Sequence, residues 1–216
     1  MDSYKTVREY GRATQIIEKS RFIAHVMPVE TREEADEFLA KVRAEYKDAT
    51  HNVPAFVIGD KFQIQWGSDD GEPQGTSGAP MVQMLVKEGI TNVAVVVTRY
   101  FGGIKLGTGG LVRAYTGTAK LGLEAAGICQ VRETVRIRLR CDYTYLAKLQ
   151  NLASDGLPED EGNPAAFRIA EIDYSDKVEL MLVMLPGHRE DVISMVGNVT
   201  AGTAEVVSEE VRNMKV

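Results

Sequence analysis

Residues 93–120 read VAVVVTRYFGGIKLGTGGLVRAYTGTAK, and the character of the chain changes twice within this stretch. Val93–Val97 is an unbroken run of β-branched residues and alanine, which predicts a central strand buried on both faces. From Thr108 the period becomes helical, with Leu111, Tyr115 and Ala119 on one face and Gly127 placed as a terminator. Between them, the segment from Arg99 to Gly110 carries five glycines. A buried strand, a glycine-rich loop and a helix therefore follow one another, and the rest of the fold is built around them.

Upstream, Thr6–Ile17 and Arg21–Val29 are β-rich and are separated by the polar turn Glu18-Lys19-Ser20, the pattern of a hairpin. Thr31 opens a helix with Glu33 and Glu34 in its first turn. Ala35, Phe38, Leu39 and Val42 give that helix an apolar face, and it ends near Tyr46. His51–Ile58 and Lys61–Trp66 form a second hairpin around Gly59-Asp60. Residues 67–80, GSDDGEPQGTSGAP, make a polar loop long enough to suggest function, and Pro80–Lys87 follows as a short helix.

Downstream the order is strand Thr134–Cys141, helix Thr144–Ala153, strands Phe167–Asp173 and Lys177–Leu185, helix Gly187–Val199 and strand Thr203–Glu210. This βαββαβ order is the split-βαβ, ferredoxin-like arrangement, with two helices on one face of an antiparallel sheet. The predicted fold is therefore α+β in two domains, 1–130 and 131–216, divided near Gly127–Glu133.

The chain has 216 residues, 44% hydrophobic and 26% charged, an ordinary globular balance. Residues 1–20 lack the apolar core of a signal peptide, and no run approaches about 18 apolar residues. A cytoplasmic protein without a membrane segment is expected. Cys129 and Cys141 are the only cysteines, too few for a disulfide framework or a zinc site, and are read as small buried hydrophobes.

The net charge of −6 conceals its distribution, since residues 1–130 carry −1 and residues 131–216 carry −5. No carboxylate occurs between Glu88 and Glu124, a window that holds Arg99, Lys105, Arg113 and Lys120. Gly102, Gly103, Gly107, Gly109 and Gly110 permit close backbone approach, and a helix start beside Arg99 or Lys105 suits an anion. A P-loop is excluded because Thr108 stands where its lysine belongs, and no G-x-G-x-x-G occurs in the segment. Arg113 and Lys120, seven apart, share a helix face and form a basic stripe suited to RNA phosphates or an acidic protein.

The polar loop offers Asp69, Asp70, Glu72, Thr76 and Ser77. Its acids suit a hard cation or acid–base work, although the spacing is not that of an EF-hand and Asp70-Gly71 and Glu72-Pro73 are also turn formers. His25, His51 and His188 fit no metal-ligand pattern, and a His51–Ser77–Asp70 triad would lack a nucleophile-elbow sequence. No catalytic residue, cofactor or metal is assigned.

Three segments taken together resemble the IMPACT/YigZ family: Lys19-Ser20-Arg21-Phe22-Ile23, the loop Asp69 to Gly78, and Val97 to Tyr115. The match is strong over residues 5–127 and rests on pattern over 134–210. The resemblance implies a first domain like the second domain of a small-subunit ribosomal protein and a second like those of elongation factor G. It also implies a role in regulating translation. Eukaryotic members act on a kinase pathway through an additional domain, so that pathway is not expected of this chain.

Two functional readings lead, with a protein-interaction adaptor as a third. The first is a translation-associated regulatory protein that binds RNA, a ribosome or a translation factor through the basic glycine-rich surface. The second is an enzyme acting on a small phosphorylated or anionic substrate at the glycine-rich loop, with chemistry from the polar loop. They differ in whether loops 67–80 and 99–110 form one site.

Overall fold

The computed structural model describes residues 3–154 and 165–215, so the expected domain limits at residues 1 and 216 lie outside the described residues. The chain separates into two compact units, one spanning Tyr4–Gln130 and the other running from Val131 onward.

The first unit contains β1 (Tyr4–Val7), β2 (Gly11–Ile17), β3 (Ser20–Pro28), α1 (Arg32–Glu45), β4 (His51–Ile58), β5 (Ile64–Gly67), α2 (Gly78–Glu88), β6 (Val93–Tyr100) and α3 (Gly107–Ala126). Its sheet has the order β2–β3–β6–β4–β5 with every neighbouring pair antiparallel. The apolar run of β6 lies at the centre of that sheet, and its alternate residues feed two cores. Val93, Val95 and Val97 pack with Met81, Leu85, Leu111 and Tyr115 from α2 and α3. Ala94 and Val96 pack with Phe38, Leu39 and Val42 from α1. With helices covering both faces, every β6 position up to Arg99 is buried, and the alternation usual in antiparallel strands disappears.

Thr31 caps α1 as expected, accepting from Glu34 N while the Glu34 side chain accepts from the Thr31 N–H. Other boundaries shift for local reasons. The expected strand Thr6–Ile17 breaks at Arg8–Tyr10 into β1 and β2. β5 starts only at Ile64, because Phe62 has a φ of 59° and its N–H bonds to Gly59 O at 2.9 Å, which lengthens the turn. α2 begins at Gly78 rather than Pro80; proline is tolerated in a first turn, whose N–H groups have no intrahelical acceptor.

The second unit contains β7 (Ile128–Cys141), α4 (Leu146–Leu152), β8 (Arg168–Tyr174), β9 (Val178–Met184), α5 (Arg189–Val199) and β10 (Glu205–Lys215). β7 pairs antiparallel with both β10 and β9, and β9 pairs antiparallel with β8, the pairings that the split-βαβ reading requires. β7 begins at Ile128 rather than Thr134, so its first residues belong to the preceding unit. Val135, Ile137 and Leu139 pack with Leu149, Val192 and Val196 in a single core. The intervening residues are basic and ion-paired: Arg136 with Glu171 and Glu210, Arg138 with Asp173, and Arg140 with Glu179. Cys129 and Cys141 are buried free thiols. Among the described residues no helix is long and apolar enough to cross a membrane.

Candidate functional site

The acids of the polar loop are each held by a different set of partners. Asp69 organises the loop from within. Its Oδ1 accepts from Ser77 N, Ser77 Oγ and Gly78 N at 3.0, 2.7 and 3.0 Å, and its Oδ2 accepts from Gly75 N at 2.7 Å. Two of these donors lie at the start of α2, where Ser77 makes no side-chain cap, so Asp69 supplies the cap from across the loop. Burial raises the Asp69 pKa, but the hydrogen bonds from Gly75, Ser77 and Gly78 together outweigh it and hold the carboxyl below its ordinary value.

Asp70 ties the loop to the sheet: Oδ1 accepts from Arg43 Nη2 at 2.8 Å and Oδ2 from Asn52 N at 2.7 Å. Its carbonyl accepts from His51 Nδ1 at 2.7 Å. Thr76 Oγ1 donates to Pro73 O within the loop at 2.6 Å. Ser77 is committed to Asp69 and His51 to the Asp70 carbonyl, so His51, Ser77 and Asp70 do not assemble a triad.

Glu72 turns inward. Its Oε1 receives Arg99 Nη1 at 2.6 Å and Tyr115 Oη at 2.7 Å, with His51 Nε2 at 3.8 Å. Arg99 is only 4% exposed and Glu72 9%. A second Arg99 nitrogen, Nη2, lies 3.3 Å from Ser20 Oγ, and the guanidinium is 5.2 Å from the centre of the Phe22 ring and 5.3 Å from that of Phe101. Burial, reinforced by the hydrogen bond to Glu72 and its charge, pushes the Tyr115 hydroxyl well above its ordinary pKa, so it remains a donor. The loops 67–80 and 99–110 therefore meet, through a buried ion pair. Arg99 is thereby removed from the expected basic surface, because an arginine that neutralises a buried carboxylate cannot also face solvent.

Gly102 also belongs to the packing. Its N–H donates to Ser20 Oγ at 3.2 Å, and a Cβ there would fall 2.1 Å from the Lys19 carbonyl carbon. Gly103 and Gly107 have φ of 85° and 70°, and a Cβ at either would meet nothing within 4 Å, so they serve the chain's path into α3. Gly109 and Gly110 lie in the first turn of α3, whose N-cap Leu106 makes no side-chain cap bond.

Two of the predicted cations do meet at the surface. Lys105 and Arg113 are exposed and line a groove of about 540 Å³ together with Gln15 and Ile17 of β2, and Ala114 and Gly117 of α3. Among the described residues Glu18 is the one carboxylate on the lining. Lys120, about two turns further along α3, instead reaches Glu88 at the end of α2, at 2.7 Å, so the stripe read between Arg113 and Lys120 is interrupted. Of the four cations in the carboxylate-free window, one is internal, one is paired on the surface, and two face the groove.

Sequence reasoning passed over Ser20, Asn52 and Tyr115 as parts of this architecture. Tyr115 was legible only as a core position on the helical face of Leu111. Nothing in the spacing announces that its hydroxyl meets Glu72.

The profile of the Impact N-terminal domain matches residues 18–123, the stretch that holds the hairpin turn, both loops, and Lys105 and Arg113 of the groove. The IMPACT family member YvyE of Bacillus subtilis is 45% identical over 180 residues, covering 83% of this chain and 78% of its own. The IMPACT family member YigZ of Escherichia coli is 41% identical over 138 residues, covering 63% of this chain and 68% of its own. A crystal structure of a hypothetical protein is similar over 96% of this chain and 98% of its own, with a TM-score of 0.58 and 31% identity. Likeness of this extent, in sequence and in fold, carries through both units: the chain belongs to the IMPACT family.

Proposed function

We propose that this protein is a translation-associated regulatory protein that acts by binding, and that Lys105 and Arg113 contact anionic groups of its partner. The single observation that carries the site is the pairing of these two exposed cations on one groove beside an uncapped helix start, where backbone N–H groups add to the positive potential. Family membership and the expectation of a ribosome, RNA or translation-factor partner supply the link to translation. The arginines of the second unit are a weaker basis for such a surface, because Arg136, Arg138 and Arg140 are already paired with carboxylates.

The reading of an enzyme for a small anionic substrate draws less support. It needs acids free to act on a ligand beside the glycine-rich loop, whereas Asp69, Asp70 and Glu72 are engaged with loop amides, Arg43 and Arg99.

The test is co-sedimentation with ribosomes, and binding to ribosomal RNA and translation factors, over a salt series. Wild type is compared with Lys105→Ala, Arg113→Ala and the double variant. Binding that weakens with salt, and that each substitution weakens further with a reduced salt slope, is the expected result. Binding that is absent, or indifferent to both substitutions, removes the proposal.

A further inference from the structure

β2 is an edge strand of the first sheet. It turns into β3 through Glu18 and Lys19, whose φ of 45° and 64° are those of a two-residue type I′ turn, with Ile17 paired to Ser20. The residues flanking such a turn exchange both backbone hydrogen bonds, and every second pair along an antiparallel ladder does the same. Ile17, Gln15 and Ala13 therefore direct their backbone groups to β3, and Thr14 and Ile16 direct theirs outward. Those outward groups meet no strand or backbone partner among the described residues.

Edges left in this condition are unusual, because proteins blunt them with shortness, charge or bulges. β5, at the opposite side of the same sheet, is four residues long. β8 and β10 each carry a register irregularity and acidic side chains. β2 has seven residues in unbroken register, no proline and one charged residue, Arg12. Ile16, on the face opposite Gln15, is 72% exposed.

The groove of Lys105 and Arg113 runs beside this edge, between β2 and α3. It has open room for side chains, since a Cβ added at Gly117 would meet only Gln15 Nε2, at 3.8 Å. Its two cations face one carboxylate, so the complementary occupant is acidic.

We infer that β2 is a docking edge for an extended acidic segment of a partner protein. The segment adds as a further strand on the outward groups of Thr14 and Ile16, sends alternate side chains into the groove, and places its carboxylates against Lys105 and Arg113. The inference rests on the proposed role of Lys105 and Arg113 in partner binding and specifies the partner's form. Single-stranded RNA would use the same cations but has no N–H and C=O pattern with which to continue the ladder.

The probe is a fluorescent peptide of the length of β2 in which valine and threonine alternate with glutamate, compared with its lysine-for-glutamate counterpart and a short oligouridine. The full chain carries Thr14→Pro, which removes an outward N–H and spares the pairing with β3, or Gly117→Leu, which fills the groove and replaces a poor helix former by a good one. Ile16→Lys blunts the edge without changing the backbone and stands in if the proline variant does not fold.

The acidic peptide is expected to bind, with the lysine peptide at least about tenfold weaker. Thr14→Pro and Gly117→Leu are each expected to weaken it about tenfold, and the Thr14 and Ile16 amide resonances to move on binding. No binding of the acidic peptide, or binding untouched by both the edge and the groove substitutions, overturns the inference. Oligouridine bound in preference to the peptide, lost in Arg113→Ala and unchanged in Thr14→Pro, overturns it in favour of nucleic acid. Ribosome binding that depends on Lys105 and Arg113 but passes unaltered through Thr14→Pro and Gly117→Leu sinks strand docking alone. Ribosome binding indifferent to Lys105→Ala and Arg113→Ala removes the broader proposal instead.

Discussion

Arg99 and Arg113 stand on the same glycine-rich segment, with no acid between them in sequence, and the fold gives them opposite surroundings. Arg99 closes β6 and is buried against Glu72, Ser20 and Phe22. Arg113 projects from α3 into an open groove. The difference lies in what the rest of the chain brings to each. A carboxylate from residues 67–80 reaches Arg99, and only Glu18, across the groove, lies on the lining that Arg113 shares. A local excess of basic residues in a sequence is therefore a count of charges and says nothing about which of them face a partner.

The sharpest way to break the comparison is to remove one half of the buried pair. Arg99→Met leaves Glu72 without its cation, and Glu72→Gln leaves Arg99 without its anion. Either is expected to lower stability by about 3–5 kcal/mol, the range for an uncompensated buried charge, measured by urea unfolding. The double variant Arg99→Met with Glu72→Met is expected to lose less than the two single losses combined, because well-packed apolar groups can replace such a pair. Strict additivity would mean that the two residues are not energetically coupled. Lys105→Ala and Arg113→Ala, at exposed positions, are expected to shift stability by no more than about 0.5 kcal/mol.

How much of this was legible beforehand differs between scaffold and site. The two apolar periods of β6 and α3, the Thr31 cap with Glu34, and the βαββαβ order of the second half were all readable, because local pattern dictates them. One misplaced end is set by a single backbone conformation, the positive φ of Phe62 that delays β5. The site was legible only as a set of candidates. Lys105 and Arg113 emerged from the carboxylate-free window, but so did Arg99, because the window ignores Glu72, which comes from 27 positions earlier in the chain. The edge of β2 was unreadable for the same reason: strand order in a sheet is a tertiary fact, and the Ile16 side chain looks no different in sequence from one that is covered.

A second buried base sharpens the contrast further. His25 is 2% exposed, and its Nδ1 shares a hydrogen bond with Tyr10 Oη at 3.0 Å. Burial, helped by the nearby Arg12 charge, lowers its pKa from 6.5 to about 4. Arg99 faces an anion, whereas His25 is held neutral by its surroundings. Its folded pKa lies below the unfolded one, so the unfolded chain binds more protons between these values. The contribution of His25 to stability is thus complete above about pH 6.5 and is lost as pH falls towards 4, amounting to about 3 kcal/mol across the window. Urea unfolding at stepped pH measures it. His25→Gln is expected to flatten the curve in this interval, and a curve that keeps its slope would place the acid sensitivity elsewhere.

The smallest expected effect is the most informative about the surface. Lys120 and Arg113 both project from α3, but Lys120 already has Glu88 at 2.7 Å, and both members of that pair are exposed, where such pairs add little to stability. Lys120→Ala should therefore leave the unfolding midpoint unchanged and, if the groove rather than a continuous basic stripe meets the partner, should weaken ribosome binding far less than Arg113→Ala. The substitution also frees Glu88, so any residual effect on binding should be a mild one that salt suppresses, as expected for a charge acting at a distance. Equal losses for Lys120→Ala and Arg113→Ala would mean that the partner covers the whole helix face, and the distinction between a paired and an unpaired cation would not govern recognition here.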